Sequence, residues 1–319
     1  MDYYKDFKSI KKIYKLDKIN NDCYYVGIKD TDVISIDFIS KLLDNKFILH
    51  TIDKASLKGR AIDIDLINPI TARSMTGSSS GTAINVFWGI NDLGIGTDGG
   101  GSVLAPALSL NLYGFISPLL DEENLKQYEK ISTDGIKFTP SIGFIAKSID
   151  VLEYSINKIF LTNKYEINSK NDIIISNPKL SYHYSAYNQL NELFKNNKSI
   201  GLNYSGLNRS EMIKELGSID FDNNILITFE GPIDVLGYGD SVLGHYSSYT
   251  KEIQRLGHKY YLKVVNMLNL SAFIVPSSDL AVGTLITCKS DINHILYALE
   301  IAKRIKFERS KLEQSYFSL

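Results

Sequence analysis

This sequence has few cysteines and almost no net charge, and each of these features argues against a class of protein. The two cysteines among 319 residues, Cys23 and Cys288, lie far apart and form no metal-binding or redox spacing. A reduced, cytoplasmic protein is the simplest interpretation. The formal net charge of −1 gives no reason to expect nucleic acid or an anionic membrane as a partner. The N-terminal twenty residues are basic but lack the apolar core of a secretory signal.

One apolar stretch resembles a membrane span in length but not in detail. Residues 103–120 would be about long enough to cross a bilayer. The stretch is interrupted by Pro106, Gly114 and Pro118, so we expect it to lie in the buried core of the protein.

Strand and helix patterns alternate along the chain, which favours an α/β layered fold. No linker divides the sequence, so a single domain over residues 1–319 is predicted. The patterns predict a helix in the first twenty residues, a strand over 23–28 ending at Lys29, and a helix after Gly81. Further along they predict a short strand over 93–96, helices over 144–160 and 247–266, an edge hairpin over 279–288, and a final helix over 291–306.

Two serine clusters in glycine-rich surroundings dominate the sequence: TGSSSG at 76–81 and GTDGGGS at 96–102. Glycine runs persist where the backbone needs positive φ or must approach something closely, and their N–H groups can form an anion-binding nest. A serine at the end of such a nest has the geometry that acyl transfer requires. The first cluster could instead be a flexible turn or a helix N-cap. Its position between a loop and an apolar helix disfavours a linker.

Two other possible motifs, a dinucleotide-binding fingerprint and a Ser-His-Asp triad, are poorly supported by the sequence. Residues 94–99 match GxGxxG after a short strand, but Pro106 interrupts the helix that a dinucleotide site needs. The five histidines show no Ser-His-Asp context. A serine nucleophile without histidine can take lysine as its base. Lys29 stands out because it ends an apolar strand, where an ammonium group can be desolvated.

Taken together, these segments resemble the amidase signature family of serine hydrolases. TGSSSG and GTDGGGS stand in the family's order, with Ser78 and Ser102 separated by 24 positions. Pro106, Ala107 and Gly114 continue the match, and VGIKD around Lys29 resembles the strand that carries the family's lysine. The resemblance implies an α/β amidase-signature fold, a central mixed β-sheet covered by helices on both faces, with the signature core at about residues 70–120.

The resemblance also implies a role for each matching residue, without a cofactor or a metal. Ser102 would be the nucleophile, Ser78 the bridging serine and Lys29 the base. A cis peptide bond is expected in the Ser78–Ser79 region. For Lys29 to act as a base near neutral pH, burial must lower its pKa by roughly 3 units. The oxyanion and substrate would be held or supported by Gly99, Gly100, Gly101, Ser79, Thr97 and Asp98.

The implied function is hydrolysis of a C–N amide bond in a small or medium-sized substrate through a Ser102 acyl-enzyme. The chain is short for the family, Lys29 and Ser78 are unusually close in sequence, and Leu104 stands where arginine is common. Two alternatives therefore stay open: biosynthetic acyl transfer to an amine, and a non-catalytic member that binds a ligand or a partner subunit. The predicted partner is a small-molecule amide rather than nucleic acid or membrane, and a homo-oligomer is left open.

Overall fold

The computed structural model describes residues 7–14, 22–160, 171–204 and 208–317. In this part of the chain eleven strands form one mixed sheet, in the order β1-β3-β2-β6-β10-β7-β14-β15-β13-β11-β12. β2 is parallel to β3 and β6, β11 is parallel to β12 and β13, and the other neighbours are antiparallel. β4–β5 and β8–β9 form two small ribbons. The strands are β1 Ile10–Ile13, β2 Tyr24–Lys29, β3 Phe47–Asp53, β4 Ile62–Ile67, β5 Ser74–Thr76, β6 Leu93–Asp98, β7 Tyr113–Ser117, β8 Lys130–Ile131, β9 Lys137–Phe138, β10 Ser141–Ala146, β11 Asp172–Ser176, β12 Lys198–Ile200, β13 Asn224–Glu230, β14 Ser271–Pro276 and β15 Gly283–Cys288.

The helices connect these strands across the sheet. They are α1 Ile36–Leu42, α2 Ser80–Phe87, α3 Leu104–Ser109, α4 Glu122–Leu125, α5 Ile149–Phe160, α6 Tyr184–Leu193, α7 Arg209–Gly217, α8 Ser248–Arg255, α9 Ile292–Arg304 and α10 Lys311–Phe317. No helix of the described residues is both long enough and apolar enough to cross a membrane.

The sheet separates two hydrophobic clusters because successive strand residues point to opposite faces. Phe115, Phe144 and Phe273 occupy neighbouring positions on three strands and pack on one face with residues of α1, α5, α6 and α9. The next residues, such as Ile116 and Ile145, lie in the other cluster with residues of α2, α3 and α7. The predicted α/β fold, with a central mixed sheet covered by helices on both faces, is confirmed.

Two regions that were expected to be helical contain strands in the structure. Ile10–Ile13 pairs antiparallel with β3 at the sheet edge instead of forming a helix; the rest of that predicted helix, except residues 7–9 and 14, lies outside the described residues. Phe144 belongs to β10, which is buried along its whole length between β6 and β7, and the helix begins only at Ile149. A strand buried on both faces is a continuous apolar run, so its pattern cannot be told from that of a buried helix.

In the C-terminal half two further predictions are wrong, and a third is wrong in one respect. The helix expected over 247–266 ends at Arg255, because His258 takes a positive φ of 46° and Gly257 packs against the backbone of Gly239. β15 is a central strand between β13 and β14, not part of an edge hairpin. The helix over 291–306 is confirmed as α9, but α10 follows it.

Candidate active site

Lys29 ends β2 with its side chain inside the protein, where only 6% of the residue is exposed. β2 runs parallel to β6, so the end of each strand lies at the same edge of the sheet. Lys29 Nζ donates to Thr97 Oγ1 at 2.8 Å and to Ser78 Oγ at 2.7 Å. The structure therefore brings together the predicted base, the predicted bridging serine and one supporting residue.

Burial changes the acid–base chemistry of Lys29. The pKa of Lys29 is lowered from 10.5 to about 7, chiefly because burial removes the ammonium group from water; the nearby charge of Lys130 contributes, and Asp98 acts in the opposite direction. A lysine with a pKa near neutrality can exist as the free amine that accepts a proton. This is the lowering that the sequence interpretation required.

Ser78 is presented by a sharp turn at Gly77. Gly77 has a φ of +72°, and a Cβ at this position would lie 2.5 Å from Cδ of Pro106. The expected cis peptide bond in the Ser78–Ser79 region is wrong, because the cis peptide bond in the described residues is Gly231–Pro232.

Ser102 is held beside the first serine cluster by the backbone. The amide of Ser79 donates to the carbonyl of Ser102 at 3.2 Å. Ser102 is half-buried, and its hydroxyl has no hydrogen-bond partner among the described residues. Ser79 is fully buried, and its hydroxyl is unpaired in the same part of the chain. Ser102 thus combines an unpaired hydroxyl with partial exposure to solvent.

Asp98 shapes the glycine loop that leads to Ser102. Its buried carboxylate accepts from the amides of Gly101 at 2.7 Å, Val103 at 2.6 Å and Leu104 at 3.3 Å. Gly101 needs its φ of +89°, and a Cβ there would lie 2.3 Å from Cδ1 of Leu262. Since the Gly101 amide already serves Asp98, it is not free to bind an oxyanion. Gly99 and Gly100 remain the candidate oxyanion donors.

Replacing Asp98 by alanine should destabilise the protein by about 3 kcal/mol, because three buried N–H groups lose their acceptor. The free energy of unfolding would be measured by urea denaturation. Asp279→Ala, at an exposed carboxylate, serves as the control and should change stability by less than about 0.5 kcal/mol. Equal stability of Asp98→Ala and the control would contradict the structural role of Asp98.

Distant parts of the chain complete the surroundings of the loop. A Cβ on Gly99 would lie 2.4 Å from the Phe138 ring, and one on Gly100 would lie 3.7 Å from Nη2 of Arg209. Sequence reasoning missed Phe138 and Arg209 because neither belongs to a motif. The only sequence feature that pointed to them was the run of glycines at 99–101, which implies that something packs closely against the loop.

Comparison with known proteins gives a family match in the middle of the chain. The model of the family described as Amidase matches residues 67–170, which include Ser78 and Ser102 but not Lys29. A search of curated proteins finds no match.

Solved structures match the fold over most of the chain. A glutamyl-tRNA(Gln) amidotransferase subunit from Thermotoga maritima matches with a TM-score of 0.62 and 13% identity, covering 95% of this chain and 88% of that one. A 6-aminohexanoate cyclic dimer hydrolase matches with a TM-score of 0.61 and 13% identity, covering 91% and 87%. Kluyveromyces lactis allophanate hydrolase matches with a TM-score of 0.58 and 15% identity, and the alignment covers 88% of this chain but only 61% of that one. Residues 67–170 of this chain are thus similar to the Amidase family, and the chain as a whole shares its fold with these solved structures.

Proposed function

We propose that this protein hydrolyses a C–N amide bond of a small or medium-sized substrate through an acyl-enzyme on Ser102. One observation carries the proposal: Lys29, buried and with its pKa lowered to about 7, donates to Ser78 Oγ at 2.7 Å. A buried amine costs stability, and its position beside a serine hydroxyl supports a role in proton transfer. The structural neighbours titled as hydrolases support the same reaction class.

The first half of the reaction forms the acyl-enzyme. Ser102 Oγ attacks the substrate carbonyl carbon while its proton passes to Ser78 Oγ, and the Ser78 proton passes to the neutral amine of Lys29. The negative charge on the carbonyl oxygen is stabilised by the amides of Gly99 and Gly100. The tetrahedral intermediate then breaks its C–N bond. The proton returns from Lys29 through Ser78 to the leaving nitrogen, so the departing group is a neutral amine.

The second half reverses these proton movements with water in place of the amine. Water attacks the Ser102 ester as Lys29 accepts its proton through Ser78, and the proton is returned to Ser102 Oγ when the acid product leaves. Thr97 accepts a hydrogen bond from Lys29 and so keeps the amine directed at Ser78. A small-molecule amide as substrate and a cytoplasmic location are parts of this proposal.

The proposal predicts covalent labelling of the protein by a fluorophosphonate, with a rate that follows the protonation of Lys29. Lys29 is charged and inactive below its pKa and neutral above it. The labelling rate should therefore rise with pH, with a midpoint at about 7, and reach a plateau above it. Intact-mass spectrometry at a series of pH values would measure the rate. A folded protein that forms no adduct at any pH would instead favour the non-catalytic interpretation.

A further inference from the structure

A cavity of about 430 Å³ is lined by residues from separate parts of the chain. It is bordered by the turn of the β8–β9 ribbon, the first turn of α7, and the segment from Gly239 to Lys263. Two of its lining residues lie next to the candidate oxyanion site, because a Cβ on Gly100 would lie 3.5 Å from the carbonyl oxygen of Lys263 and 3.7 Å from Nη2 of Arg209. This volume falls within the usual range for a small-molecule site.

The cavity wall is strongly cationic. Among the described residues that line the cavity, the acidic one is Asp134, and the basic ones are Arg209, Lys251, Arg255, Lys259 and Lys263. Three of the cations have carboxylate partners: Arg209 with Asp134 at 2.7 Å, Arg255 with Glu252, and Lys259 with Asp234 at 2.6 Å. Lys251 and Lys263 have no carboxylate partner in the described part of the chain. The wall therefore carries more positive than negative charge.

Lys263 is the more informative of these two lysines. It is half-buried, and its backbone lies against the glycine loop, whereas Lys251 is exposed on α8. The pKa of Lys263 is lowered to about 8, chiefly by burial and also by the adjacent charges of Arg209 and Lys259, while Glu230 and Asp134 act in the opposite direction. Glu230 is committed elsewhere, because its carboxylate accepts from the amides of Tyr260 and Leu262. A buried ammonium group among other cations is stabilised by an anion in the cavity.

We propose that this cavity is a subsite for an anionic group of the substrate, held chiefly by Lys263 while the amide carbonyl lies at Gly100. The inference rests on the proposed amide hydrolysis and narrows its substrate class to amides that carry a carboxylate or phosphate group. Neutral amides of similar size leave the Lys263 charge without a partner and bind less well.

The test measures binding without turnover, by calorimetry on the Ser102→Ala protein. Glutarate, the acid product of a glutaryl amide, places one carboxylate at the reacting end and the other in the cavity; pentanoate has the same chain length without the second carboxylate. Glutarate should bind at least tenfold more tightly than pentanoate. Its affinity should fall as pH rises through about 8, since Lys263 then loses its charge. Inorganic phosphate is the third probe, and tighter binding of phosphate than of glutarate would assign the group as a phosphate.

Two variants locate the site. Lys263→Met should weaken glutarate binding at least tenfold, while Lys214→Met, at an exposed lysine of α7, should leave it unchanged. If Lys263→Met does not fold, Lys251→Met at the exposed end of the same wall should weaken binding severalfold. Equal affinities for glutarate and pentanoate, or full affinity in Lys263→Met, would overturn the proposal.

A second measurement links the cavity to the reacting serine. Glutarate at saturating concentration should slow fluorophosphonate labelling of the wild-type protein at least tenfold, and pentanoate should slow it less. Binding without any slowing would mean that the anion site is not a substrate subsite. If labelling itself fails while glutarate binds at Lys263, the hydrolase proposal fails and the anion site stands. The two failures are therefore distinguishable.

Discussion

Ser102→Ala should abolish fluorophosphonate labelling and lower amide turnover by roughly 10⁴–10⁶-fold, the range seen when a nucleophilic serine is removed. The reason is chemical: alanine offers no oxygen to form the ester intermediate, and the half-buried position of Ser102 leaves its hydroxyl within reach of a probe. Intact mass before and after labelling would give the extent of modification. Turnover would be measured with the anionic amides that the cavity favours.

Ser80→Ala is the matched control for this experiment. Ser80 belongs to the same buried serine cluster, but its hydroxyl donates to Asp63 at 2.6 Å rather than taking part in the Lys29 contacts. The control variant should therefore keep its labelling rate. An adduct that persists in Ser102→Ala and disappears in Ser80→Ala would show that the nucleophile had been assigned to the wrong serine.

Lys29→Met should slow labelling by about 10²–10⁴-fold, the usual contribution of a general base. Methionine fills the space of the lysine stem but cannot accept the proton that leaves Ser102 through Ser78. The rise of the labelling rate around pH 7 should disappear with the lysine, because the titrating group has gone. Rates at several pH values, measured by intact mass, would test both expectations.

Lys147→Met is the control for Lys29→Met. Lys147 is also half-buried, with a pKa lowered by burial and by the charge of Arg309, but it has no part in the proposed relay. Its variant should label at the wild-type rate. Lys29→Met should remain folded, since replacing a buried cation by an apolar side chain is often neutral or stabilising. A folded Lys29→Met protein that labels normally would exclude Lys29 as the base.

The residues around Lys29 were predictable because local sequence determines them. The signature segments lie in one short stretch, and the strand VGIKD ends in a lysine that apolar neighbours bury. The structure places Ser78 and Thr97 within hydrogen-bond distance of Lys29, whereas the predicted contact of Ser78 with the Ser102 hydroxyl is not among the hydrogen bonds of the described residues. The cis peptide bond predicted at Ser78–Ser79 is not present in the described part of the chain, and Gly101 is not free to bind an oxyanion because its amide donates to Asp98. Both details depend on backbone geometry that residue types alone do not specify.

Two of the errors in secondary structure share a cause, which is that pairing with distant strands decided between helix and strand. β10 contains a run that is apolar on both faces, and its position between β6 and β7 makes it a strand. Two of the four residues of Ile10–Ile13 are lysines and three of the four are exposed, and pairing with β3 makes the segment an edge strand. The cavity was unpredictable for a similar reason. Lys263 and Arg209 approach Gly100 from far along the chain, with no motif to indicate that they meet.

The sheet order divides the proposed site between two parts of the chain that could be varied separately. The relay residues and the glycine loop all come from the chain before β7, whereas the cationic wall, apart from the β8–β9 turn, comes from α7 onward. In the proposed mechanism the two parts meet at Gly100, so changes of charge between residues 209 and 263 should alter the preferred substrate without altering the bond-breaking groups. Libraries confined to that interval, or chimeras joined between α5 and β11, would then exchange specificity while keeping the same reaction.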